Sequence, residues 1–344
     1  MGKDSIPAID FVVPFVDGSD PVWQAEKQRY LKDYSSDMSD HSDYRYRDWG
    51  TLKYFFRGVE SCVPWIRKLF FIVSERPQIP EWLDESNPKL EIVLHRDFIP
   101  KEYLPTFSSH CIEMNLHRIR GLSEQFVYFN DDVFLIRHVS PDFFFKKGLP
   151  CDTAILRPWP YIDVEPDRKP LLAALHCVAA INRNFSKPAC MRRYFYKWFS
   201  PVMGIRIIST LWLVPAREFT GFTNLHLMNP FLKSTFSEVW EKEGVTLKKA
   251  CLHRFREPND VNQYIFQYWQ FASGKFIPRP HEVGRSRSIK RENIKDIQRI
   301  MANKKYRAIA LNDADMPENE FELLRNEINS IFSERFPDKS SFEK

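Results

Sequence analysis

The chain has 344 residues, enough for one large domain or two of ordinary size, and its 43% hydrophobic and 15% aromatic content, with 11 Gly and 24 Pro, excludes a disordered, collagen-like or fibrous protein. Lys and Arg total 50 against 45 Asp and Glu, and the resulting net charge of +5 is too small to make a general nucleic-acid binder by composition. Six scattered Cys without a C-x-x-C pair exclude a zinc knuckle or a dense disulfide framework and fit a reducing compartment, while the absence of a signal-like leader in MGKDSIPAID and of any apolar run near about 18 residues predicts a soluble or peripheral protein.

Residues 9–16, IDFVVPFV, predict a buried strand that runs into the turn Asp17-Gly18-Ser19-Asp20 and then a helix from Pro21. Residues 33–48 carry Asp33, Asp37, Asp40, Asp43 and Asp48 among Ser and Tyr and predict a loop, followed by a helix over 49–61. LFFIV at 69–73 and LEIVL at 90–94 predict two more strands, joined through Pro77, Pro80 and Pro88. Helical spacing over 109–120 ends at Gly121, and FVYF at 126–129 predicts a strand entering Asn130-Asp131-Asp132. Strands alternating with helices over 9–140 predict a Rossmann-like α/β sheet with its ligand beyond the strand C-termini. The second half is predicted to be mostly helical, with helices near 188–200, 233–243, 258–273, 290–302 and 317–335. In the last of these Phe321, Leu324, Ile328, Ile331 and Phe332 share one face.

Several groups of side chains have the composition of a site. Asp131 and Asp132 after an apolar strand fit carboxylates that hold a divalent cation on a diphosphate, or a general base, or a capped turn. On the 109–120 helix Ile112, Leu116 and Ile119 form one stripe, and His110, Glu113 and His117 the other. That polar stripe fits metal binding, a proton relay or a solvated face. His253-Arg254-Phe255-Arg256 ahead of a helix start fits a phosphate clamp or structural ion pairs, and His226 stands in the apolar stretch LHLMNP. Asp17 to Asp20 occupy the place where a ribose or phosphate binds in α/β nucleotide sites, and equally suit a tight capped turn. No G-x-G-x-x-G and no Walker lysine motif occurs, which argues against a dinucleotide oxidoreductase or a P-loop ATPase. In residues 191–214, Arg192, Arg193, Lys197 and Arg206 alternate with Tyr194, Phe195, Tyr196, Trp198 and Phe199, a mixture suited to the headgroup layer of an anionic membrane or to a buried helix with snorkelling cations. From Arg285 to Arg307 nine Lys or Arg face only Glu292 and Asp296, which reads as a polyanion-binding face or a solvated helix.

Together these segments resemble the Stealth family of sugar-1-phosphate transferases, which includes bacterial capsular polysaccharide phosphotransferases and the catalytic subunit of the lysosomal-enzyme GlcNAc-1-phosphotransferase. Four blocks carry the resemblance: IDFVVPFVDGSDP at 9–21; RYRDWGTLKYFF through SEQFVYFNDDVFL at 45–135; HLMNPFLKSTFSEVW through HRFREPNDVNQYIFQYW at 226–269; and YRAIALND with the terminal FPDKSSFE at 306–343. Phe15 and Ser109 depart from residues common in the family, and 140–225 matches least.

The resemblance implies that Glu113, Asp132, His226 and Arg256 act at the active site. Asp17, Gly18, Ser19 and Asp20 match the family's donor-side block and Asn312 and Asp313 its last block, and beside them the residues themselves offer Arg254 as a donor-phosphate contact, Asp131 and Asp132 as a site for Mg²⁺, and His110 and Asn130 as neighbours. An acceptor hydroxyl would then attack the β-phosphorus of a UDP-sugar, UDP-GlcNAc by default, expelling UMP and leaving a phosphodiester. The implied organisation is a donor-binding α/β region at 1–140, a variable insert at 141–225 that contacts acceptor or membrane, and a region at 226–344 that completes the site. The implied setting is the cytoplasmic side of a bacterial membrane, with a glycan acceptor, capsule-assembly proteins as neighbours and no nucleic acid. A metal-dependent glycosyltransferase releasing UDP, and a non-catalytic polysaccharide-binding subunit, are the other readings of the same residues.

Overall fold

The computed structural model describes residues 8–32, 34, 46–158 and 169–344. Of the loop expected over 33–48, all but Tyr34 and residues 46–48 lie outside the described residues. The first half contains strand β1 (Ile9–Pro14), helices α1 (Pro21–Lys32) and α2 (Leu52–Cys62), strands β2 (Leu69–Val73) and β3 (Leu90–Leu94), helices α3 (His95–Phe98) and α4 (Ser109–Asn115), and strands β4 (Gln125–Tyr128), β5 (Val133–Leu135), β6 (Phe145–Lys146) and β7 (Leu149–Asp152). Next come α5 (Lys169–Asn184), α6 (Lys187–Arg193), α7 (Phe195–Trp198), α8 (Ile207–Trp212) and β8 (Asn229–Leu232). The last part holds α9 (Lys233–Leu252), α10 (Tyr264–Ala272), β9 (Ile277–Pro278), β10 (Gly284–Ser288), α11 (Ile294–Ala302), β11 (Ala308–Asn312) and α12 (Glu318–Arg335).

A five-stranded sheet in the order β3-β2-β1-β4-β8 forms the centre. Its first four strands are parallel and β8 closes one edge antiparallel to β4. Both faces are covered, which is why β2 reads as a continuous apolar run and β1 departs from one only at Asp10, whose buried carboxylate accepts from Arg67. Ile9, Phe11, Val13, Phe71 and Val73 point to a core shared with Phe55 and Phe56 of α2 and Phe332 of α12. Val12, Phe70, Ile72, Phe126 and Tyr128 point the other way, against Met114 of α4, Phe236 of α9 and Phe266 of α10. The chain leaves β1 for β2 and β3 on one side and returns to β4 on the other. That reversal opens a crevice beyond the C-terminal ends of β1 and β4, where α/β sheets bind ligands.

The second half is mostly helical, and it adds strands that periodicity alone did not single out. β8 extends the central sheet, and β10 and β11 make a second sheet with β5 of the first half, Ala310 opposite Val133. The basic run from Arg285 is therefore not one helical face. It begins as β10 and becomes α11, with Arg287 Nε donating to Asp296 Oδ2 at 2.5 Å. The helix expected at 188–200 is interrupted at Tyr194 between α6 and α7. α9 continues past 243 to Leu252 through a kink at Glu243, whose buried carboxylate accepts from Arg183 and Asn184 of α5, a helix not anticipated. Residues 258–263 are turn and irregular backbone, so α10 starts only at Tyr264. α4 stops at Asn115 because that side chain donates to the Cys111 carbonyl at 2.8 Å, and a 3₁₀ turn then leads to Gly121 at φ +78°. All six Cys are buried and free.

Candidate active site

A cavity of about 370 Å³ opens at the predicted crevice. Its walls bring together Glu113 and His110 of α4, Asn130, Asp131 and Asp132 after β4, His226 before β8, Arg256 before α10, and Asn312 and Asp313 at the end of β11. The pairing of β5 with β11 brings Asn312 and Asp313 to the wall that holds Asp132, about 180 positions earlier in the chain. The Leu311 N–H donates to the Asp132 carbonyl at 2.9 Å, fixing the acidic turn from below.

His226 Nε2 lies 3.1 Å from Asp132 Oδ2. The His226 backbone is held at φ +47°, a left-handed conformation that costs a non-glycine residue about 1–3 kcal/mol and that clusters at functional sites. Burial opposes a charge on its imidazole, but the Asp132 charge and hydrogen bond outweigh that and raise its pKa above the ordinary value. Asp131 touches solvent at the cleft while protein encloses it elsewhere. This enclosure, and next the Asp132 charge, bring its carboxyl up to about 7.

Glu113 is buried with both oxygens engaged: Tyr128 donates its hydroxyl at 3.2 Å and Gln263 its backbone N–H at 3.1 Å. One carboxylate therefore joins α4, β4 and the start of α10. Arg256 donates to Ser109 Oγ at 2.8 Å, and its charge is felt by Tyr128, Asp131 and His226. Asn312 Oδ1 accepts from Ser286 Oγ at 2.6 Å. Asp313 Oδ1 accepts from the Ala314 N–H at 2.6 Å, and burial raises its carboxyl against the opposing effect of the Trp49 indole and that N–H.

Behind the wall, the fully buried Asp260 meets His253 Nδ1 at 2.6 Å through Oδ1, while its Oδ2 accepts from the Glu257 N–H at 2.9 Å and lies 3.3 Å from His110 Nδ1. His110 thus enters the site oriented by a carboxylate. His117, expected on the same helical stripe, does not. The 3₁₀ turn swings it against Phe236 and Trp240, where burial lowers it to about 4.

The Asp17 to Asp20 turn is tightly capped. Asp17 Oδ1 accepts from the Ser19 N–H and hydroxyl, at 2.8 and 2.6 Å, and Asp20 Oδ1 accepts from the Val22 N–H at 2.9 Å. Gln78 bridges the two acids, and a Cβ on Gly18 would lie 2.0 Å from the Tyr46 carbonyl oxygen, so only glycine fits there. Asp17 lines a second groove of about 330 Å³ that shares Phe15, Asp48 and Leu52 with the first. Gly18, Ser19 and Asp20 line neither. Arg254 also stands apart from the main cavity, its guanidinium donating to the Pro105 carbonyl at 2.8 Å.

Sequence reasoning passed over Arg47 and Gln263. Arg47 lines the cavity and keeps one buried guanidinium nitrogen, Nη1, unpartnered among the described residues. Its position beside Asp48 in the block RYRDWG was the available signal. No three His, Cys, Asp or Glu side chains among the described residues group as an ion site. The protein would thus offer a divalent cation a carboxylate pair, as Mg²⁺ is bound when phosphates and water complete its shell. Asp131 and Asp132 fit that role, since Asp132 Oδ1 is buried with no hydrogen-bond partner among the described residues.

The chain matches conserved region 1 of the Stealth proteins over residues 7–35 and conserved region 2 over residues 45–151. It is similar to the capsular polysaccharide phosphotransferase WcwK of Streptococcus pneumoniae, 38% identical with 98% of each chain covered. To the receptor polysaccharide phosphotransferase WefC of Streptococcus oralis it is 38% identical, covering 97% of this chain and 99% of that one. The exopolysaccharide phosphotransferase cps2G of Lactiplantibacillus plantarum is 36% identical, covering 98% of this chain and 96% of that one.

Proposed function

The chain belongs to the Stealth family and is a polysaccharide phosphotransferase, and from that premise we propose that the group it moves is a sugar-1-phosphate, taken from a UDP-sugar and placed on a hydroxyl of a glycan acceptor. UDP-GlcNAc is the default donor. The convergence of an acid-histidine pair, Asp132 and His226, with Arg256 in one cavity supports this reading most.

The acceptor oxygen attacks the β-phosphorus, the bond from that phosphorus to the oxygen bridging the two phosphates breaks, and UMP departs with the bridging oxygen. The sugar C–O bond stays intact, so anomeric configuration is retained. Such a reaction needs alignment and charge neutralisation more than covalent catalysis. Asp132 takes the acceptor proton. His226, held positive by that same carboxylate, faces the phosphate or the leaving UMP. Arg256 and Arg47 neutralise the transferring group, each such donor contributing about 3–4 kcal/mol. Glu113 orients the wall through Tyr128 and Gln263, His110 lies beside it, and Asp17 marks the donor side. Asp131 and Asp132 would hold Mg²⁺, whose charge would offset that of the diphosphate. The glycan acceptor is encountered at the cytoplasmic face of a bacterial membrane, alongside other capsule-assembly proteins.

Purified protein with UDP-GlcNAc and an oligosaccharide acceptor tests this directly. UMP by chromatography and a phosphodiester resonance by ³¹P NMR are expected. Release of UDP with a phosphorus-free product would overturn phosphotransfer in favour of ordinary glycosyl transfer.

A further inference from the structure

Among the described residues, twelve large apolar side chains stand exposed, and eight of them lie between 195 and 214. Ile205 is 81% and Trp212 84% exposed, with Tyr196, Ile208 and Leu211 beside them in sequence. The segment is nevertheless firmly seated. Trp198 and Met203 are buried beneath it, Thr210 Oγ1 accepts from the Leu156 N–H at 3.0 Å, and Ser209 Oγ donates to the Leu156 carbonyl at 2.6 Å. The buried Lys187 ammonium donates to the carbonyls of Leu213 and Ala216 at 2.5 and 2.6 Å, placing a cation at the C-terminal end of α8. A patch of this kind held in place by the scaffold marks an interaction surface.

Its charge identifies the counterpart. Residues 184–217 contain no Asp or Glu and six Lys or Arg, and Arg192, Arg193, Arg206 and Arg217 are exposed. Two copies of this chain meeting through the same patch would set arginine against arginine, which disfavours a symmetric dimer. Aliphatic and indole side chains interspersed with guanidinium groups instead suit acyl chains overlaid by phosphate headgroups. We propose that residues 195–214 are the face by which this protein docks onto an anionic lipid bilayer.

One helix links the cavity wall to the segment that follows this surface in the chain. α5 runs from Ala173 in the cavity wall to Asn182, which exchanges two hydrogen bonds with the Phe219 backbone, both at 2.9 Å. Nine residues at about 1.5 Å each separate these points by about 14 Å. A docked enzyme would thereby meet acceptors carried in the membrane. The docking face itself rests on the surface geometry and not on the phosphotransfer reading.

Flotation of the full chain with phosphatidylcholine vesicles, and with vesicles that also contain phosphatidylglycerol, tests the proposal. The protein should float with the anionic vesicles at low salt. Partitioning should fall about tenfold or more in the pair Ile205→Ser with Trp212→Ser, and likewise in Arg192→Glu with Arg193→Glu. Circular dichroism melting of both pairs shows whether they remain folded, and UMP release from a water-soluble acceptor, scored separately, should be unchanged. Absence of flotation by the wild-type chain at low salt overturns the proposal, as does equal flotation of folded variants. A concentration-dependent dimer in sedimentation that Ile205→Ser with Trp212→Ser abolishes, without lipid binding, would make the face a protein interface instead.

Discussion

Asp132→Asn keeps the shape of the side chain and removes one negative charge 3.1 Å from His226 Nε2. At that distance, with an effective dielectric constant of about 20, the lost attraction is about 5 kcal/mol. The two side chains are 28% and 33% exposed, so solvent screening cuts this to about 2–3 kcal/mol. Loss of a positioned base removes a further factor of about 10² to 10⁴ in rate if the same carboxylate accepts the acceptor proton. The two effects overlap at one carboxylate, so the expected fall in kcat is about 10³ to 10⁴ rather than their product. His226→Gln retains a donor toward Asp132 and loses the cation, and should lower kcat by about 10². If the pair acts as a unit, the double variant should fall little below Asp132→Asn alone. Initial rates of UMP release from the four proteins at one saturating donor concentration measure this cycle. Turnover by Asp132→Asn within fivefold of wild type removes Asp132 from the chemistry, and strictly additive losses would refute the coupling.

Arg256→Lys keeps the positive charge and loses the planar fork that meets phosphate oxygens in pairs, so kcat should drop by about 10² with an unchanged melting temperature; a fall of less than threefold would place Arg256 outside the transferring group. The His253 to Asp260 contact predicts a pH dependence of stability. The hydrogen bond to Asp260 raises the His253 pKa, so its contribution is complete below the imidazole's unfolded value of about 6.5 and is lost as pH rises through the higher folded value. Burial works to raise the Asp260 carboxyl, yet hydrogen bonds from His110 and His253 hold it low, and that contribution disappears only in acid. Melting temperatures at pH 5.5 and 8.5 should therefore differ more for wild type than for His253→Gln, the proton involved giving a slope of at most about 1.4 kcal/mol per pH unit. Equal pH slopes for the two proteins would refute the assignment.

Where the local signal was strong, the fold was legible in the sequence. β2 and β3 occupy the expected residues because the first is an unbroken apolar run and the second is interrupted only by the exposed Glu91, and α12 follows from its apolar stripe. β8 escaped because NPFL carries a proline, tolerated there at a sheet edge, and β10 because GRSRS has no apolar alternation. The residues that line the candidate cavity were legible through the joint pattern of the four blocks. Taken alone, Asp131 and Asp132 suit a capped turn as well as a metal, and only the pairing of β5 with β11 shows why Asp313 lines the same cavity as Asp132. The Asp260 cradle behind His110 needed three dimensions, because its three members come from two distant segments.

The hydrogen bond from Leu311 to the Asp132 carbonyl joins residues made at very different times during synthesis. The parallel strands β1 to β4 are complete once residue 128 has been added, but the turn that follows them acquires its brace only when β11 emerges some 180 residues later. A nascent or prematurely terminated chain can therefore contain Glu113, Asp131, Asp132, His226 and Arg256 and still leave the acidic turn unbraced. The cavity wall is completed late, since Asn312 and Asp313 in it are made only when nearly the whole polypeptide has been synthesised.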